Sequence, residues 1–93
     1  MTKINLDFPL KTLSGQDITG TTAGQVLANA ISQSNKGQAI KLWDWALKAH
    51  NGQMLELDKA DTDLLKSIVE SNEVLSILSK AQILNAIKSA EVD

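Results

Sequence analysis

The chain has 93 residues, of which 43% are hydrophobic and 22% charged, and a formal net charge of −2. That length holds one domain; at 10.0 kDa area scaling leaves roughly 5,200 Å² exposed out of about 14,500 Å² for the extended chain. The lack of cysteine excludes disulfides, thiolate metal sites and a cysteine nucleophile. With no arginine there is no planar guanidinium for phosphate or guanine, which argues against a nucleic-acid reader.

Charge is unevenly spread. Residues 36–52 carry a net +2 and residues 53–73 a net −4, while each end sums to zero. No apolar run approaches the ~20 residues of a membrane span. Asp7 and Pro9 interrupt the one apolar stretch near the N-terminus, against a signal peptide. The expected setting is intracellular, with no membrane partner.

Along the chain, Ile4, Leu6 and Phe8 alternate with Asn5 and Asp7, the period-two pattern of a half-buried strand. Pro9 ends it or puts it at an edge. Ser14 and Gly15 signal a turn, and residues 16–19 are expected to return as a second strand with Ile18 inward. A hairpin alone is marginal in water, so it must pack on helices. Thr22 with Gln25 makes a capping box, followed by an apolar face of Val26, Leu27, Ala30 and Ile31, with Asn35 and Gly37 at the end.

Residues 38–50 give the clearest helix, with Ile40, Trp43, Ala46 and Leu47 on one face and Leu42 and Trp45 widening it. Asn51 and Gly52 supply the stop, and Met54, Leu55 and Leu57 form an extended, partly buried connector. Asp58 caps a third helix, with Asp61 and Asp63 suited to its dipole and Leu64, Leu65, Ile68 and Val69 inward. Ser71 and Asn72 break it. Asn72 is expected to cap a fourth helix with Leu75, Leu78, Ala81 and Leu84 inward, or alternatively Val74, Ile77, Ala81 and Ile87.

Chemistry-bearing constellations are sparse. His50 is the only histidine and has no cysteine or second histidine as partner; a place near a helix C-terminus accounts for it. Asp58, Asp61 and Asp63 do not make a calcium loop. Counted from Asp58, position three is Ala60, position six is Asp63 rather than glycine, and position twelve is Val69. No phosphate-cradling glycine loop or nucleophile elbow occurs. The expectation is therefore no catalytic residue, no metal and no cofactor.

Trp43 and Trp45 lie about 200° apart around a helix, so both cannot centre one face. Alignment with Ile40 and Leu47 favours Trp43 for the core. Trp45 with Leu42 then forms a partner edge, unless a sandwiched helix buries both. A second candidate surface is the acidic group Glu56, Asp58, Asp61 and Asp63, whose plain alternative is a solvated face.

Two stretches carry a resemblance. Lys3-Ile4-Asn5-Leu6-Asp7-Phe8-Pro9-Leu10-Lys11, with Leu13-Ser14-Gly15-Gln16-Asp17-Ile18, resembles the start of small uncharacterised proteins of tailed phages and prophages. Leu55-Glu56-Leu57-Asp58-Lys59-Ala60-Asp61, continuing to Ser71, resembles their second half. The resemblance implies a phage or prophage product in a bacterial cytoplasm or in a virion. It transfers no site residue.

The reading is one domain over 1–93: an α+β, mostly helical fold with an N-terminal β-hairpin (1–20) packed on about four short α-helices (21–90) and a frayed tail (91–93). The expected function is a non-enzymatic protein–protein interaction, in phage assembly or control of a host factor. Two alternatives stand beside it: a DNA-binding regulator of helix-turn-helix type, against which the sparse basic charge speaks, and a self-associating structural subunit, a homo-oligomer.

Overall fold

In the computed structural model, which describes residues 1–33, 38–73 and 75–91, the elements run β1 (Thr2–Ile4), α1 (Ala23–Ser32), α2 (Ala39–His50), β2 (Leu55–Leu57), α3 (Lys59–Ser71) and α4 (Ile77–Glu91). The fold is α+β and mostly helical. β1 and β2 form a two-stranded antiparallel sheet in the register Thr2↔Leu57, Lys3↔Glu56 and Ile4↔Leu55. Ile4, Leu55 and Leu57 point into the core, while Lys3 and Glu56 face each other on the exposed side, an arrangement of opposite charges that favours the pairing. No helix among the described residues is long and apolar enough to cross a membrane.

The N-terminal reversal is present, but its ladder is minimal. Lys11 bridges Asp17, and Ile18 N–H donates to Leu10 C=O at 2.7 Å. Gly15 turns the chain at φ +89°, a left-handed conformation that suits glycine. The regular ladder of the first strand is instead made with the connector after α2, fifty residues on. Local chemistry explains the early end of β1. Asn5 Oδ1 accepts Asp7 N–H at 2.8 Å in an Asx turn, which diverts the backbone. Leu6 and Phe8 C=O then accept the N–H groups of Gly24 (2.9 Å) and Ala23 (2.8 Å), supplying partners to the first turn of α1. The alternation of Leu6 and Phe8 thus reflects an extended segment laid on a helix N-terminus.

The caps follow the sequence. Thr22 and Gln25 form the reciprocal box on α1, and Asp58 accepts Asp61 N–H at 2.7 Å at the start of α3. Gly52, at φ +73°, follows the end of α2. The expected ending at Asn35 and Gly37 lies outside the described residues.

The fourth helix differs from expectation. Asn72 accepts Leu75 N–H at 2.9 Å, but the helix begins at Ile77 behind Ser76, whose Oγ accepts Ser79 N–H at 3.2 Å. This later start sets the inward face at Ile83 and Ile87, with Leu84 partly covered, and leaves Ile77 and Ala81 exposed. Val74 lies outside the described residues. The helix continues through Glu91, which is anchored to Lys66, so Glu91 is not part of a frayed tail; residues 92–93 are outside the described set. Gln82 fastens this helix to the reversal by pairing both amide atoms with the Lys11 backbone at 2.8 and 2.7 Å.

The core is continuous: Ile4 and Leu6, Leu27 and Ile31 of α1, Leu42 and Trp45 of α2, Leu55 and Leu57, Leu65 and Val69 of α3, and Ile83 and Ile87.

Candidate functional site

α2 carries large apolar side chains on two faces, and packing selects between them. Leu42, Trp45, Ala46 and Ala49, spaced i, i+3, i+4, i+7, are the buried set. The small residues decide the matter. Gly24 of α1 approaches Ala49 so closely that a Cβ there would collide with the Ala49 carbonyl oxygen. Only a face with Ala46 and Ala49 lets the α1 backbone come that near.

The expectation for the tryptophans is therefore reversed. Trp45 is 5% exposed and Leu42 5%, so the proposed Leu42/Trp45 edge is core and offers nothing to a partner. Trp43 is 60% exposed, with Ile40 at 87% and Leu47 at 43% beside it. These three, spaced i, i+3, i+7, form an apolar stripe about two turns long on the outer face of α2. Alignment groups Ile40, Trp43 and Leu47 together, but it adds Ala46, which is buried on the other face, and turns the set towards the core. The signal that separates the faces was present in the alanines at 46 and 49 and in their counterparts Gly24 and Ala28.

Beside the stripe, residues of α1 and α2 line an open cleft of about 210 Å³. Buried Ala28 and Ala46 belong to its lining, with Trp43 and Leu47, and Ser32 and His50 bring polar groups to it. None of these was singled out as a group from sequence. His50 and Lys48 also sit in the last turn of α2, where positive charge suits the dipole.

The acidic candidates are distributed among structural tasks. Asp58 caps α3. Asp61 accepts Lys41 Nζ at 2.9 Å, tying α2 to α3, and Asp63 lies 3.6 Å from Lys66 and 4.0 Å from Lys59. Glu56 is exposed opposite Lys3. Among the described residues no group of three or more His, Asp or Glu side chains is arranged to hold a metal ion.

One titration is perturbed by this architecture. The hydrogen bond from Lys66 to Glu91 raises the pKa of the lysine above its ordinary value; partial burial opposes this, and the nearby charges of Glu91 and Asp63 reinforce it. Two wider concavities of about 370 Å³ each lie elsewhere among the described residues. One runs from Met1 and Thr2 past Asp58 to Glu91, and the other lies between Val26 and Ala30 on α1 and Leu75 and Ser79.

Comparison with known proteins finds no family model, no curated protein and no solved structure that matches the chain.

Proposed function

We propose that this chain is a non-enzymatic protein-binding domain whose contact surface is the outer face of α2. The observation that carries this reading is the stripe of Ile40, Trp43 and Leu47, at 87%, 60% and 43% exposure. A folded chain gains by burying such side chains, at about 1.5–3 kcal/mol each, and this fold leaves three adjacent ones in water. Tryptophan is enriched where interfaces concentrate their binding energy. The likeness of residues 3–18 and 55–71 to phage and prophage proteins supports a partner met in phage assembly or in a bacterial host, in the cytoplasm or the virion.

The test is affinity capture from lysate of the cells that carry the gene, using the wild-type chain and the double variant Ile40→Asp/Trp43→Ser. A protein retained by the first and lost by the second, with the partner then purified and its binding measured by calorimetry, is the expected result. Both positions are exposed, so the melting temperature stays nearly unchanged. If every retained protein binds both chains equally, the reading fails.

A further inference from the structure

The chain has six asparagines, and Asn51 is the one followed by glycine. That pair has a chemistry of its own. The backbone nitrogen of the next residue can attack an asparagine side-chain amide and close a five-membered imide. Glycine leaves that nitrogen unhindered, because it carries no side chain and turns freely. Asn51 is exposed, so water and base reach it.

The fold holds the pair in an unreactive posture. Gly52, at φ +73°, ends α2 in a Schellman closure. Its N–H donates to Ala49 C=O at 3.3 Å, and Gln53 N–H donates to Lys48 C=O at 2.8 Å. Asn51 has ψ 9°. A ψ near zero nearly eclipses the Gly52 nitrogen with the Asn51 nitrogen and turns it away from the Cβ that carries the amide. Ring closure needs that nitrogen swung round to the Cβ side, which gives up both hydrogen bonds. The glycine itself is required here: besides its left-handed φ, an added Cβ would lie 3.1 Å from the Asp7 carboxyl carbon. Folding thus demands the residue that makes Asn51 reactive.

We infer that Asn51 is a site of spontaneous deamidation, held dormant by the Schellman closure of α2 and released when that closure opens. Base removes the Gly52 N–H proton, the bond from that nitrogen to Asn51 Cγ forms, and the side-chain nitrogen leaves as ammonia. Water then opens the imide at either carbonyl, giving aspartate or isoaspartate. Either product puts a new carboxylate, ionised at neutral pH, at the C-terminal end of α2. The helix dipole disfavours negative charge there, and Asp7 already stands against Gly52. Isoaspartate also adds a methylene to the main chain, so the two closing hydrogen bonds lose their register. Helix ends are among the places where local opening costs least, and a chain that has opened at this one keeps a permanent chemical record of it.

The full chain is incubated in mildly alkaline buffer, folded in one sample and unfolded by guanidinium chloride in another, and peptide mass spectrometry follows every asparagine. In the unfolded chain Asn51 is expected to convert first, to a mixture of aspartate and isoaspartate. In the folded chain its conversion should be at least about tenfold slower. The converted chain, separated by its extra negative charge and returned to plain buffer, should melt below the unmodified one. Asn51→Gln, whose longer side chain would need a six-membered ring, should keep the melting curve and lose the reaction at this position. Equal rates in the folded and unfolded chains overturn the dormancy. No preference for Asn51 in the unfolded chain overturns the site. A converted chain that melts with the unmodified one overturns the loss of the closure, and a glutamine variant that converts as fast overturns the imide route.

Discussion

Single residues settle which side of α2 faces in. Gly24 is the clearest case, because helix propensity and packing make opposite demands on it. In an exposed helix, replacing glycine by alanine is worth about 1 kcal/mol of added stability. Here the new methyl would be driven into the carbonyl of Ala49 and lie 3.3 Å from that of Leu6, neither of which can move without shifting backbone. Gly24→Ala should therefore destabilise the fold by roughly 1–3 kcal/mol, as overpacking does, measured as a lower urea midpoint at unchanged slope. A stabilised variant would mean that α1 and α2 are not in this close contact. The same reasoning explains why the two tryptophans were misassigned from sequence. Hydrophobic periodicity sees Trp43 and Trp45 as equals, and only the small residues on one side record where a neighbouring backbone must pass.

At the scale of elements, what was legible is what is local. The capping box at Thr22, the cap at Asp58, the stop at Gly52 and the apolar faces of α1 and α3 are set by residues within a turn or two of each other, and the structure shows each of them. The partner of β1 was not legible, because Leu55–Leu57 is far away in sequence and a three-residue strand has little pattern to read. The start of α4 was hidden by two capping residues, Asn72 and Ser76, four positions apart, each of which accepts a backbone N–H.

Ion pairing between elements gives a further prediction. Lys66 of α3 sits 2.9 Å from Glu91 of α4 and is held protonated to higher pH than an ordinary lysine. A raised folded-state pKa stabilises the fold fully below the unfolded-state value near 10.4, and this contribution disappears as pH rises through the folded-state value. Wild-type stability should thus fall more steeply than that of Lys66→Gln across the alkaline range, read from urea unfolding between about pH 8 and about pH 12. Equal slopes in the two proteins would show that the pair does not contribute.

For the whole molecule, the radius of gyration of 12.2 Å agrees with the ~12.3 Å expected for a compact chain of this length. The exposed area of 5,786 Å² exceeds the roughly 5,200 Å² expected from its mass. The core is closed, and the exposed area includes the large apolar side chains of Ile40, Trp43 and Leu47. That core depends on the first eight residues beyond their share of its volume. They bring Ile4 and Leu6, both at most 2% exposed, the ladder partner of Leu55–Leu57, and the two carbonyls that receive the first N–H groups of α1. Burial of the two side chains alone is worth about 3–6 kcal/mol, comparable with the total stability of about 5–14 kcal/mol for such a chain. Deleting residues 1–8 should therefore abolish cooperative thermal unfolding in circular dichroism, whereas Leu13→Ser at the 98% exposed tip of the reversal should leave stability within about 0.5 kcal/mol. A truncated chain that still melts sharply would show that the four helices close a core by themselves and that the N-terminal segment is only laid over it.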